Sequence, residues 1–182
     1  LNISFITNID EFPDYASIVF SYVSLKGNNL ENRILRTENG KFFCSSNYAL
    51  KHGRPNTVEE LNDHPIIGIL NENHVPVNYI KLNNINTHEQ YILDLSNSKL
   101  RLDSAIHMKK VGMTSSYIFG SLDVLVYHDL NQGRILPVLP NWVLAEYNFY
   151  LVSRKNTSRE EQAFIDFISD CMRLCHTSEI QY

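Results

Sequence analysis

The chain opens on an alternating segment, Ile3 and Phe5 against Asn2 and Ser4, which predicts a half-buried strand over residues 1–6 that Thr7 and Asn8 close. After a loop or short helix over residues 10–15, the β-branched and aromatic run 18–23 predicts a second strand, broken at Lys26-Gly27-Asn28-Asn29. Residues 30–36 lead into a strand at 41–45. Thr57 and Glu60 have the spacing of a capping box, in which hydroxyl and carboxylate satisfy each other's backbone N–H groups, so a short helix is predicted over 58–62. Residues 65–70 are a continuous apolar run of strand length, the pattern of a strand buried on both faces. The Asn-rich stretch 71–97 carries strand fragments at 77–82 and 90–95.

In the second half, Asp103 or Ser104 caps a helix that runs through Val111, and Gly112 is placed to stop it as a left-handed residue. Residues 121–130 predict a short helix with Leu122, Leu125 and Val126 on one face, and Gly133 turns the chain into a strand at 134–138. A strand at 148–153 follows, then a second capping box, Ser158 with Glu161. Behind it Phe164, Phe167, Ile168, Cys171 and Cys175 fall at helical spacing, predicting an amphipathic helix that covers a sheet. Strands alternating with helices make the class α/β, with parallel-leaning sheets. No repeat, low-complexity tract or Pro/Gly-rich linker interrupts the chain, so a division into lobes has to come from strands crossing between sheets.

The 182 residues suffice for one sizeable domain or two small lobes. A net charge of −4, with Lys and Arg scattered, excludes a piece that grips nucleic acid by itself. No apolar run approaches the ~18 residues of a membrane helix, and no charged leader precedes the first strand. A chain that begins on Leu1 inside a strand reads as truncated. Three cysteines, Cys44, Cys171 and Cys175, contain no CxxC pair and read as reduced thiols in a cytoplasmic protein, with Cys44 a small buried hydrophobe.

Signals for catalysis are missing. There is no GxSxG elbow, no GxGxxG or GxxxxGK, and the seven histidines show no HxxxH spacing, which leaves no nucleophile, nucleotide cofactor or metal site to name. His128 and Asp129 are adjacent on a helix and do not face each other. Binding without chemistry is the expectation. Thr7-Asn8, Ser21-Tyr22, Ser104 and Thr114-Ser115-Ser116 are neutral donors and acceptors where strands and helices meet, suited to a small polar ligand or, equally, to capping and turns.

Four ordered blocks, FFCSSNYALKHGRPNTVEELNDH (42–64), LRLDSAIHMKKVG (100–112), DLNQGRILPVLPNW (129–142) and EEQAFIDFISDCM (160–172), resemble the effector-binding domain of LysR-type transcriptional regulators. The resemblance covers residues 14–172. It implies two Rossmann-like lobes joined by two crossover strands, as in type 2 periplasmic binding proteins, with a small-molecule effector in the cleft. Lobe I would take 1–40 and 147–182, lobe II 41–146, with crossings near 41–45 and 146–150. It also implies that a first strand and helix of the domain, and an N-terminal winged helix-turn-helix that reaches DNA, precede Leu1. The full-length regulator would be a homodimer or tetramer with no membrane partner.

Carried over by position, the residues that would hold the effector are Thr7, Asn8, Ser21, Tyr22, Asn71, Ser104, Thr114 and Ser115. Where the family often has "fD.aiR", this chain reads Ser17-Ile18-Val19-Phe20-Ser21, and the lost charges favour a neutral polar effector over a carboxylate. Phe119, in place of a usual proline, would narrow the pocket. The alternative is a solute-binding protein of the same architecture.

Overall fold

The computed structural model describes residues 3–5, 11–71, 73–114 and 116–174. Contacts divide the chain into two compact units: the first takes the chain up to Glu38 and resumes at Tyr147, and the second is Asn39–Glu146. Both boundaries fall inside long strands, β3 (Leu30–Ser45) and β12 (Ala145–Arg154). Gly40 does not interrupt β3, so the two segments expected at 30–36 and 41–45 are one strand.

In the first unit β1 (Ile3–Phe5) and β2 (Ile18–Ser21) run parallel, and β12 lies antiparallel to β2 with Leu151 opposite Phe20 and Val152 opposite Val19. The strand order is β1-β2-β12-β3. Strand alternation sends Val19 and Val152 into one core with Ala16 and Leu25, and Ile18, Phe20 and Leu151 into another with Ile165. Both faces are covered, which is why every residue of β2 is buried.

Ile165 belongs to α4 (Arg159–Leu174). Its start is the predicted capping box: the Ser158 N–H donates to Glu161 Oε2 (2.7 Å) and the Glu161 N–H to Ser158 Oγ (3.2 Å). The bond from the Ser158 N–H, above all, holds the Glu161 carboxyl below the usual glutamate range. The buried stripe is not the expected one. Ile165 is its centre, with Phe164 and Ile168 beside it, while Phe167, two positions (~200°) round the helix, is 61% exposed. Cys175 lies outside the described residues.

In the second unit the buried part of β3 lies antiparallel to both β9 (Phe119–Leu122) and β10 (Ile135–Val138). Ser45 then caps α1 (Ser46–His52) by accepting the Tyr48 N–H, and Gly53 ends it at φ +74°. β4 (Gly68–Leu70) pairs parallel with β8 (Arg101–Leu102) and antiparallel with β5 (Pro76–Val77). A parallel bridge, Ile66 to Ile118, brings the chain leading into β4 beside the chain leading into β9. β6 (Tyr79–Asn84) and β7 (Gln90–Asp94) form a hairpin, and β11 (Trp142–Val143) adds to β6. The helices are α2 (Ala105–Gly112) and α3 (Asp123–Asn131).

Alternation again builds two cores. Phe42, Cys44, Ile66, Ile118 and Val138 pack with Tyr48, Leu61, Leu82 and Leu93, beneath α1 and the hairpin. Phe43, Ile67, Phe119 and Ile135 pack with Met108 of α2 and Val126 of α3. Buried Asp129 ties the second layer together, accepting from Lys109 of α2 and from Arg134 just before β10. The Lys109 hydrogen bond, then that of Arg134, outweighs burial and holds the Asp129 carboxyl below the usual aspartate range.

Several expectations change. Between named strands of the described residues only β1–β2 and β4–β8 are parallel, because a hairpin and two long crossing strands supply most pairings. Thr57 does not cap: Glu60 instead accepts the Asn56 N–H (2.7 Å), and residues Glu59–Asp63 form a 3-10 turn with no side-chain cap. The helix expected from residue 121 begins at Asp123, since β9 takes Ser121 and Leu122. Gly112 is the last residue of α2 and has no positive φ; it is glycine for room, because a Cβ there would lie 2.0 Å from Phe119 Cδ1. Phe119 itself is fully buried, with its ring against Phe43. Among the described residues no helix is long and apolar enough to cross a membrane.

Candidate functional site

Parallel strands gather their C-terminal ends on one side, and in open α/β sheets that side is where ligands bind. In the second unit β4 ends at Leu70 and β8 at Leu102. Their register pairs Ile69 with Leu102, so the two strands end beside each other, with Asn71 following one end and Asp103 and Ser104 the other. Two of the sequence-predicted residues, Asn71 and Ser104, thus follow the ends of paired strands, and His74, whose N–H donates to the Asn71 carbonyl (2.9 Å), links the two segments. Asp103 and His74 join them, with His74 Nδ1 3.7 Å from Asp103 Oδ2.

Each group already has local work, which decides what it can still offer. Asn71 Oδ1 accepts the Asn73 and Val75 N–H groups (3.0 and 2.9 Å), so its remaining resource is the amide NH₂. Ser104 Oγ caps α2 by accepting the His107 N–H at 3.5 Å, a long bond that leaves the hydroxyl proton to donate elsewhere. The rim therefore offers the Asn71 amide and the Ser104 hydroxyl as neutral donors, with the Asp103 carboxylate as its acceptor.

The remaining predicted residues are placed as follows. Thr114 stands beyond the other end of α2, whose eight residues rise about 12 Å, and its hydroxyl donates to the Val111 carbonyl (2.6 Å). Ser21 and Tyr22 sit together in the first unit at the end of β2. Ser21 Oγ is buried and accepts the Val23 N–H (3.1 Å), and Tyr22 is half exposed, edge-on to Phe149 at 5.1 Å. Thr7, Asn8 and Ser115 lie outside the described residues.

Sequence reasoning missed Lys41, Ser121 and Asp123. Lys41 lies opposite Ser121 in the β3–β9 ladder and its ammonium meets the Asp123 carboxylate at 2.9 Å, at the C-terminal end of β9. Ser121 Oγ is buried with no hydrogen-bond partner among the described residues. The available signal was a lysine set directly before Phe42-Phe43-Cys44, where a buried charge requires a partner.

No family model and no curated protein matches the chain. Solved structures do. The full-length virulence activator AphB of Vibrio cholerae, a member of the LTTR family, superposes with a TM-score of 0.74 at 18% identity, covering 91% of this chain and 55% of that one. The fold is that of a LysR-type regulatory domain. The AphB regulatory domain of Vibrio vulnificus agrees, with a TM-score of 0.69, 17% identity and coverage of 85% and 75% of the two chains. So does the regulatory domain of CrgA, a LysR-type transcriptional regulator from Neisseria meningitidis, at 0.67, 20% identity and coverage of 86% and 75%. The chain spans about half the length of full-length AphB, and its fold is the type 2 periplasmic-binding-protein-like fold of the LysR regulatory domain.

Proposed function

We propose that this chain is the ligand-sensing regulatory domain of a LysR-type transcriptional regulator and that it binds a small neutral polar effector without chemical change. The observation that carries the reading is the whole-chain fold match to LysR-type regulatory domains, joined to the ordered LysR-like sequence blocks. The rim of neutral donors at Asn71 and Ser104, on the ligand side of the parallel strands, supports the binding role. Ser21, Tyr22, Thr114 and the residues Thr7, Asn8 and Ser115 complete the set proposed to face the effector. The neighbours are regulator domains rather than enzymes, which fits a non-catalytic role.

Effector binding would act by population shift: a ligand that favours one arrangement of the domain changes how the DNA-binding domains of a homodimer or tetramer are presented. DNA contact would come from an N-terminal winged helix-turn-helix and the protein would act in the cytoplasm. The coding sequence upstream of Leu1 tests this against the solute-binding alternative. A helix-turn-helix there supports the regulator; an export signal contradicts it.

A further inference from the structure

A cavity of about 480 Å³ opens in the second unit at the N-terminal ends of the same parallel strands, lined in part by His64, Ile66, Asp94, Leu95, Lys99 and Tyr117. Its volume falls within the range of small-molecule sites. Ile66 lies in it, five residues before Asn71, so a strand rise of about 3.3 Å per residue sets the cavity roughly 16 Å from the strand-end rim. It is a separate place, at the opposite pole of the strands.

The lining has definite chemistry. Leu61, Ile66 and Leu95 are buried and form an apolar floor. Asp94 and Lys99 stand on the rim, both exposed, and no ion pair joins them among the described residues. The Asp94 carboxylate is fixed by the Ser96 N–H (2.7 Å). His64 is held from behind by buried Tyr48, whose hydroxyl lies 2.7 Å from His64 Nδ1. Burial, and then the neighbouring Cys44, push the Tyr48 phenol up to about 12, so it stays a neutral hydroxyl in that bond. Burial also lowers the His64 pKa, which favours the neutral ring. A cation and an anion on one rim, a neutral imidazole and an apolar floor match one ligand chemistry.

We infer that this cavity binds a zwitterion carrying an α-ammonium, a carboxylate and an apolar side chain, with Lys99 facing the carboxylate, Asp94 the ammonium and the Leu61–Ile66–Leu95 floor the side chain. Free amino acid and short peptide share this chemistry, and the volume favours the peptide.

The test is calorimetric titration of the 182-residue chain with leucine, with leucyl-leucine and with N-acetyl-leucinamide, which lacks both charges. Saturable binding of leucine or leucyl-leucine, absent for N-acetyl-leucinamide, is expected, and the tighter of the two identifies the source. Lys99→Glu and Asp94→Lys each weaken it by roughly tenfold or more, and combining them restores binding in the reversed orientation. Asn71→Ala and Ser104→Ala leave it unchanged, which separates this site from the proposed effector rim. No binding of either zwitterion, binding indifferent to Lys99→Glu, or binding lost in Asn71→Ala or Ser104→Ala would overturn the inference.

Discussion

Replacing Gly112 by alanine tests the packing that holds α2 on its sheet. Alanine is the better helix former by about 0.8–1.0 kcal/mol, so a helix-propensity argument predicts stabilisation. The structure predicts the reverse. The new methyl would meet Phe119 Cδ1 at 2.0 Å and two further ring atoms at 2.6 Å, whereas carbon atoms pack comfortably at about 3.5–4.0 Å. The ring would have to retreat by about 1.5 Å, and it is fully buried with Phe43 at 6.2 Å between centroids.

Overpacking of this kind costs about 1–3 kcal/mol, and a clash this deep belongs at the upper end. Subtracting the propensity gain leaves a loss of about 2 kcal/mol. For a chain of this length that corresponds to a melting temperature lower by roughly 4–8 °C. Thermal unfolding followed by circular dichroism measures it. Phe119→Leu in the same chain should recover part of the loss, giving a coupled rather than additive cycle. A Gly112→Ala protein as stable as the parent, or additive with Phe119→Leu, would refute the reasoning.

Three further outcomes are expected. Ile165→Ala should destabilise by about 2–5 kcal/mol while Phe167→Ala, on the exposed side of α4, changes stability by under about 1 kcal/mol, measured by urea unfolding. Asp129→Asn should cost about 1–3 kcal/mol at pH 7, less than a fully buried pair because the Arg134 side chain keeps 46% of its exposure. Since the folded-state pKa of Asp129 is depressed, its contribution is present above the ordinary aspartate pKa and fades as pH falls through the lower folded value, so parent and variant should converge in acid. The Cys44 thiol, fully buried and pushed by burial up to about 11, should stay unreactive to thiol reagents at pH 8 until the protein unfolds.

Local signals in the sequence translated well where both partners are near in the chain. Ser158 and Glu161 satisfy each other within one turn, and Gly133 adopts the left-handed φ of +67° that its turn requires. The same spacing at Thr57 and Glu60 failed because Glu60 found the Asn56 N–H instead. In α4 the cluster Phe164, Ile165, Phe167, Ile168 is apolar at four of five positions, so periodicity alone could not choose its phase, and packing chose Ile165.

At the candidate site, Ser104 was legible as a cap, and Asn71 as the residue after an apolar strand. That the strands before them end side by side depends on the β4–β8 register, which no local pattern encodes. The Lys41–Asp123 pair, 82 residues apart, forms only when β3 and β9 align. Gly112 shows the same limit: a helix-ending glycine looked like a left-handed stop, but its reason is an aromatic ring on another strand.

The central claim is a regulatory domain that senses a small polar molecule at the strand-end rim. Its most direct test is thermal unfolding of the chain against a library of small neutral polar metabolites, since a ligand at 100 times its Kd stabilises the folded state by about 2.7 kcal/mol. The account predicts a concentration-dependent rise in melting temperature with at least one compound, abolished by Ser104→Ala combined with Asn71→Ala and unaffected by Lys99→Glu. A stabilising compound whose effect survives the Ser104 and Asn71 substitutions, or a library that stabilises nothing, would contradict it.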